Sequence, residues 1–221
     1  KNVKRVYPGI DLEYYKPAPK DMQALSELGL TDSEFIVTFP GEYVRLGATD
    51  DMVEMIIAQA ENFREKNIRI VFAFRLKNDP IAIAKKEEVV KKLTANKVLD
   101  RVVFIDIFSD MAKLYNLSDI IIFPVRNMHG KFDVPLAAVE PMACEKPVIV
   151  SDLPILKEFA TEKNSITVQA GNMQELATAI FDLQDHPEKR KALGKEGRNF
   201  CEENLDIKKV AGIYEQIYTK L

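Results

Sequence analysis

Ile120-Ile121-Ile122-Phe123-Pro124, Val125-Arg126-Asn127-Met128-His129-Gly130-Lys131-Phe132-Asp133, Val134-Pro135-Leu136-Ala137-Ala138-Val139-Glu140-Pro141-Met142-Ala143 and Pro147-Val148-Ile149-Val150-Ser151-Asp152 are consecutive pieces of one pattern. The first and last are short, continuously apolar runs, as in strands buried on both faces of a parallel sheet. Between them lie a polar loop and a helical pattern whose proline suits a first turn. Strand, loop, helix and strand in that order make one right-handed crossover of a doubly wound sheet.

The same alternation extends in both directions. Apolar runs at Phe35–Phe39, Ile68–Phe74, Val102–Ile105 and Ile166–Val168 join Ile120–Phe123 and Val148–Val150, six expected strands in all. Helical patterns separate them at about 50–65, 80–95, 110–116, 134–144 and 172–184. Ser109 or Asp110 can cap the third of these and Asn172 the fifth, and Pro187 opens a new helix after Asp185-His186. The last ~35 residues are helical throughout on pattern. The expected fold is α/β, a Rossmann-like doubly wound parallel sheet with helices on both faces and a helical C-terminal end. Residues 1–20, with Pro8-Gly9, Pro17 and Pro19, read as an extended interdomain linker that something precedes, and residues 21–221 as a single domain.

Composition excludes several functions. The 221 residues carry 31 basic and 34 acidic side chains, so no global positive field exists to hold nucleic acid or an acidic membrane. Cys144, Cys201, His129 and His186 contain no pair at metal-ligand spacing. Two cysteines in a chain this long point to a reducing compartment, and the expected location is cytoplasmic. No apolar run approaches the ~20 residues of a membrane span, and Lys1-Asn2-Val3-Lys4-Arg5 lacks the apolar stretch of a signal peptide. The sequon Asn116-Leu117-Ser118 leads into an apolar strand and reads as chance. No Gly-x-Gly-x-x-Gly follows a strand, which argues against a dinucleotide oxidoreductase.

In such a sheet, ligands bind beyond the carboxyl ends of the strands. That edge should carry Gly41–Gly47, Arg75–Asp79, Asp106–Ser109, Pro124–Asp133 and Ser151–Asp152. Helix amides near Val134 favour an anion, with Arg126 and Lys131 adding charge beside them. A carboxylate accepts only, so Glu140 on the cleft side can take two hydrogen bonds from a ribose diol. Taken singly, Glu140 on an amphipathic helix, Arg126 and Lys131 on a loop, and His129 are more often solvated surface groups than ligands.

The stretch from Phe132 to Asp152 resembles the signature of family-four retaining glycosyltransferases: Glu, seven residues, Glu, then Ala-Met-Ala, Pro-Val-Ile and a Ser/Thr-Asp pair. Val6-Tyr7-Pro8-Gly9-Ile10-Asp11-Leu12-Glu13-Tyr14-Tyr15-Lys16-Pro17 resembles that family's interdomain linker. The resemblance covers nearly the whole chain and implies the nucleotide-sugar donor domain of a GT-B protein. Glu140 matches the second Glu, which in the family binds the ribose, and Glu158 matches a Glu beyond the Ser-Asp pair. The first Glu, which contacts the donor sugar, falls on Phe132, with Asp133 adjacent. The family's glycine after Ala-Met-Ala is Glu145. Its Gly-Arg and Lys-Gly after the first strand are replaced by Gly41-Glu42-Tyr43-Val44-Arg45-Leu46-Gly47, where Arg45 is displaced, and Arg75 or Lys77 is left to supply the missing charge.

The resemblance therefore implies a hexosyltransferase of carbohydrate biosynthesis, incomplete as these residues alone. A UDP-, GDP- or ADP-sugar would be the donor, and a glycan or lipid acceptor would sit on an N-terminal domain outside the chain. Peripheral membrane contact by the full-length protein stays open. No cofactor and no metal are implied. Arg45 and Asp133 are the expected catalytic residues. Arg45, Arg75, Lys77, Arg126 and Lys131 would hold phosphate, Asp133 the sugar and Glu140 the ribose, with Val134 and Leu136 lining the site and Gly41 allowing close backbone approach. Transfer would proceed through an oxocarbenium-like transition state, the leaving diphosphate stabilised by fixed cations and helix amides. Two rival functions remain: a non-catalytic nucleotide-sugar-binding or regulatory module, and a nucleotide-sugar epimerase.

Overall fold

The structure, a computed structural model, describes residues 6–76, 78–129 and 134–219. Its strands are β1 (Phe35–Gly41), β2 (Ile68–Phe74), β3 (Val102–Ile105), β4 (Ile120–Phe123), β5 (Val148–Ser151) and β6 (Ser165–Val168). They form one sheet in the order β3-β2-β1-β4-β5-β6, every pair parallel. This is the expected doubly wound α/β fold. Chain order runs outward from β1 through β2 to β3, then restarts at β4 on the other side of β1. The crevice beyond β1 and β4 is thus the point where the winding reverses.

The strands form because almost every side chain in them is buried. Val37, Ile68, Ile70, Phe72, Phe74, Ile120, Ile121, Ile122, Val148, Ile149 and Val150 are all wholly inaccessible to solvent. Each fully buried apolar side chain of this size contributes about 1.5–3 kcal/mol relative to an exposed one. Ile36 and Val71 point to a smaller cluster with Leu25, Leu114 and Leu117, while Val37, Phe39, Ile70 and Phe72 join the main core on the other face.

The helices are α1 (Met22–Glu27), α2 (Thr49–Ala58), α3 (Ala60–Glu65), α4 (Pro80–Ala95), α5 (Met111–Leu117), α6 (Leu136–Ala143), α7 (Met173–Asp185), α8 (Pro187–Asn204) and α9 (Ile207–Tyr218). Asp110 is the cap of α5, accepting from the Lys113 amide at 2.9 Å, and Asn172 caps α7 through the Glu175 amide at 3.1 Å.

Three expectations need correction, and one helix, α1, was not expected. The helix expected over 50–65 turns at Gln59, and its second part, α3, carries Phe63 into the core. The short α1 lacks an obvious periodicity, although Asp21 caps it and Gly29 follows it with φ +66°. Pro135 precedes α6 instead of opening it, because its φ of −70° is joined to an extended ψ of 119°. The C-terminal run is broken at Leu205-Asp206. There Ile10 enters, accepting from the Ile207 amide at 3.0 Å and donating to the Leu205 carbonyl at 2.6 Å.

Helix α6 is held firmly at its C-terminal end. The Glu145 amide donates to Met142 O at 3.0 Å and the Lys146 amide to Pro141 O at 2.9 Å, a Schellman arrangement with Glu145 left-handed at φ +56°. Helix α8 crosses so closely that a Cβ on Gly194 would lie 2.1 Å from the Glu145 carbonyl oxygen. Gly194→Ala should therefore cost about 1–3 kcal/mol through overpacking. Glu145→Gly should gain about 1 kcal/mol by relieving left-handed strain. Urea unfolding of both variants checks the opposite signs.

Candidate functional site

The carboxyl edge of β1, β2 and β4 opens into a cavity of about 540 Å³, whose wall includes Gly41, Glu42, Arg75, Met111, Tyr115, Val134, Leu136 and Glu140. A second hollow of about 520 Å³ adjoins it around Gly41, Glu42, Arg45, Arg75 and Asp79. Gly41, Glu42 and Arg75 line both.

Beneath these hollows lies an aromatic floor. Phe72 and Phe74 stack with centroids 4.8 Å apart, and Phe39 and Tyr43 meet Phe74 edge-on, each at 4.9 Å. This packing explains Gly41 differently from the sequence. A Cβ there would stand 2.7 Å from the Phe74 ring and 2.8 Å from Phe39, so the floor itself excludes a side chain.

The expected cations have different surroundings. Arg45 is 60% exposed and gives both its guanidinium hydrogen bonds to Glu42, at 2.5 and 2.8 Å. Arg126 is clamped by both oxygens of Asp51 on α2, and a Cβ on Gly171 would stand 3.6 Å from its guanidinium; it lines neither hollow. Arg75 forms no ion pair with the described residues and reaches both hollows. His129 is exposed. Lys77, Lys131, Phe132 and Asp133 lie outside the described residues. Among the described residues, no group of three or more His, Cys, Asp or Glu is placed to hold a metal.

Among the described residues no side chain caps the N-terminal end of α6, whose first residues, Leu136 and Ala137, line the cavity with Val134; a helix start leaves amides without intrahelical partners. One turn further, Glu140 faces the cavity from a half-buried position. The Tyr115 hydroxyl, from α5, donates to Glu140 Oε2 at 3.0 Å, and the Tyr15 phenol lies beside the same carboxylate. Burial pushes the Glu140 carboxyl above its ordinary range, against the two phenols, which favour the anion. Burial and then the Glu140 charge hold both tyrosines in their neutral, donating form.

Sequence reasoning missed Tyr15 and Tyr115. Tyr15 stands in the proline-bearing opening segment, and Tyr115 is a core-like position on a short helix. Neither carries a signal beyond an aromatic ring near the linker or core.

A carboxyl whose folded pKa is raised favours folding below its ordinary pKa, and that contribution is lost as pH rises through the folded value. Glu140→Gln should therefore raise the melting temperature at pH 7 and lose that advantage near pH 4. Thermal denaturation at the two pH values checks it.

Residues 34–186 match the family model described as glycosyl transferases group 1. A GDP-mannose-dependent monoacylated alpha-(1-6)-phosphatidylinositol monomannoside mannosyltransferase of Corynebacterium glutamicum is 25% identical over 201 residues, 88% of this chain and 50% of that protein. Anabaena Alr3699/HepE, solved in complex with UDP-glucose, superimposes with a TM-score of 0.84 at 18% identity, covering 99% of this chain and 57% of its own. The C-terminal domain of the glycosyl transferase group 1 protein LpcC from Francisella tularensis gives a TM-score of 0.75 at 18% identity, covering 90% of this chain and 100% of that domain. The chain spans about half the length of the curated relatives it matches. With the donor-type motif on one wall of the crevice and the family model spanning the sheet, the chain belongs to the glycosyl transferases group 1 family.

Proposed function

We propose that this chain is the nucleotide-sugar-binding half of a retaining hexosyltransferase whose acceptor, a glycan or lipid, is held by a further N-terminal domain. Glu140 carries the reading: a half-buried carboxylate on a cavity wall, bonded by the Tyr115 phenol with Tyr15 beside it, near a helix start that no described side chain caps, where the sheet winding reverses. A ribose diol supplies the two donors such a carboxylate accepts. A diphosphate would then lie against the first amides of α6 and Arg75, with Arg45 exchanging from Glu42, and Lys77 and Lys131 adding charge. Asp133 would face the sugar. Negative charge developing on the leaving phosphate oxygen would be stabilised by these groups without a metal. Residues 1–20 would link the two halves, and residues 21–221 would form the donor domain. The UDP-glucose held by the similarly folded Anabaena protein supports a nucleotide-sugar ligand. The mannosyltransferase relative is named for GDP-mannose, so the base is a matter for measurement.

A non-catalytic binding module is the second reading, favoured by one observation. Among the described residues lining the two hollows, the cations Arg45 and Arg75 face three carboxylates, Glu42, Asp79 and Glu140. Sugar transfer by the protein carrying both halves would eliminate that module.

Titration calorimetry with UDP, GDP and ADP should find one that binds, while the chain alone transfers no sugar. Glu140→Ala should weaken that nucleotide by about 1.5–3 kcal/mol, the range for hydrogen bonds to a charged group. Unchanged binding would place Glu140 outside the site. Arg75→Lys should weaken the nucleoside diphosphate and spare the nucleoside, because the bidentate fork is lost. Affinity should also fall as salt rises. Equal affinity for nucleoside and nucleoside diphosphate at every salt concentration would remove the phosphate site.

A further inference from the structure

We propose that Tyr115 is a positioning residue that orients the Glu140 carboxylate for a ribose diol, and that Tyr15, packed against its ring, brings the segment preceding β1 into that arrangement. The inference rests on the assignment of Glu140 to the ribose.

A glutamate side chain on a helix has several rotamers, and ordering it costs entropy that a ligand would otherwise have to offset. Here the cost is met before any ligand arrives. Tyr115 is fully buried and its hydroxyl fixes Oε2 at 3.0 Å. The remaining lone pairs of the carboxylate are left for donors on the cavity side. The phenol cannot drift, because its ring is packed in the main core and α5 is capped by Asp110.

Tyr15 approaches from a different part of the chain and is itself held. Arg198 donates from Nη1 to both the Tyr15 carbonyl and the Ala143 carbonyl, each at 2.8 Å, which ties the opening segment to the last turn of α6. The Tyr14 ring meets Tyr15 edge-on at 4.8 Å, and the Tyr14 hydroxyl donates to Asp110 at 2.9 Å. The Tyr15 and Tyr115 rings lie 6.3 Å apart, Tyr15 beside the carboxylate that Tyr115 holds. Ile10, further back, is locked between Leu205 and Ile207. The segment therefore backs the phenol that fixes Glu140.

Calorimetry on Tyr115→Phe and Tyr15→Leu, with UDP, GDP, ADP and the 2′,3′-dideoxy form of each, tests this. Removing the Tyr115 hydroxyl should weaken the bound ribonucleotide about three- to tenfold, the worth of one hydrogen bond, and removing the Tyr15 ring that packs against it should weaken it in the same sense. The dideoxy form should bind as it does to the unaltered chain, so the ratio of the two affinities narrows. Equal losses for both nucleotides would mean that the tyrosines merely shape the cavity, and no loss would mean that Glu140 does not need them; either result overturns the inference. If Tyr115→Phe fails to fold, Tyr15→Leu decides alone. An unaltered chain that binds none of the three ribonucleotides, or binds ribo and dideoxy forms alike, refutes the ribose assignment and the inference with it. Discrimination by the unaltered chain that the variants retain refutes the inference only.

Discussion

Strand β1 is hydrogen-bonded along both edges, to β2 from Phe35↔Ile68 through Gly41↔Phe74 and to β4 at Val37↔Ile120 and Thr38↔Ile121. Because both pairings are parallel, every connection must cross over the sheet, and the crossovers on the two sides of β1 leave in opposite directions. The backbone beyond the carboxyl ends of β1 and β4 is thereby splayed apart. The cavity, the Gly41–Gly47 loop and the start of α6 all occupy that opening. Nothing in their own sequences brings them together; the pairing of β1 does.

Helix α6 is the rigid side of the opening. It has Pro141 inside it, which removes one internal hydrogen bond, so its short length would not be stable in isolation. Tertiary contacts compensate. The Schellman turn, the close crossing of α8 at Gly194 and the Arg198 bridge hold its C-terminal end. Buried Ala138, Val139, Met142 and Ala143 hold its length. Glu140 is the exception in this set, a carboxylate kept where burial disfavours its charge. A titratable group retained against its own desolvation on a well-fixed element marks a functional-site candidate.

The loop after β1 shows a different balance. Leu46 and Gly47 are both left-handed, at φ 68° and 70°, and the Arg126 amide donates to Leu46 O at 2.8 Å. The loop is thus shaped by backbone constraints, while its cation, Arg45, rests on its neighbour Glu42. Arg126 and Asp51 secure the far side of the same loop. Charge in this region is largely neutralised within the protein, and Arg75 stands apart from that pairing among the described residues.

How much of this was legible depended on the range over which each feature is determined. The strands were readable because burial on both faces demands unbroken runs of Val, Ile and Phe, a property of four to seven adjacent residues. The caps at Asp110 and Asn172 were readable for the same reason, since cap and amide are three residues apart. Glu140 was readable through the motif around it. The partners of Arg126 and Glu140 were not. Asp51 lies 75 residues from Arg126, and Tyr115 lies 25 residues from Glu140, separations that no local periodicity spans. The break between α8 and α9 was hidden in the same way, because Ile10 from the opposite end of the chain causes it. Sequence alone therefore determined the layered α/β fold and the edge on which a ligand would sit, since both follow from local hydrophobic pattern and chain order. Which cations are already paired, why position 41 excludes a side chain, and what holds the Glu140 carboxylate were decided only by tertiary structure, because each depends on atoms brought together by the sheet.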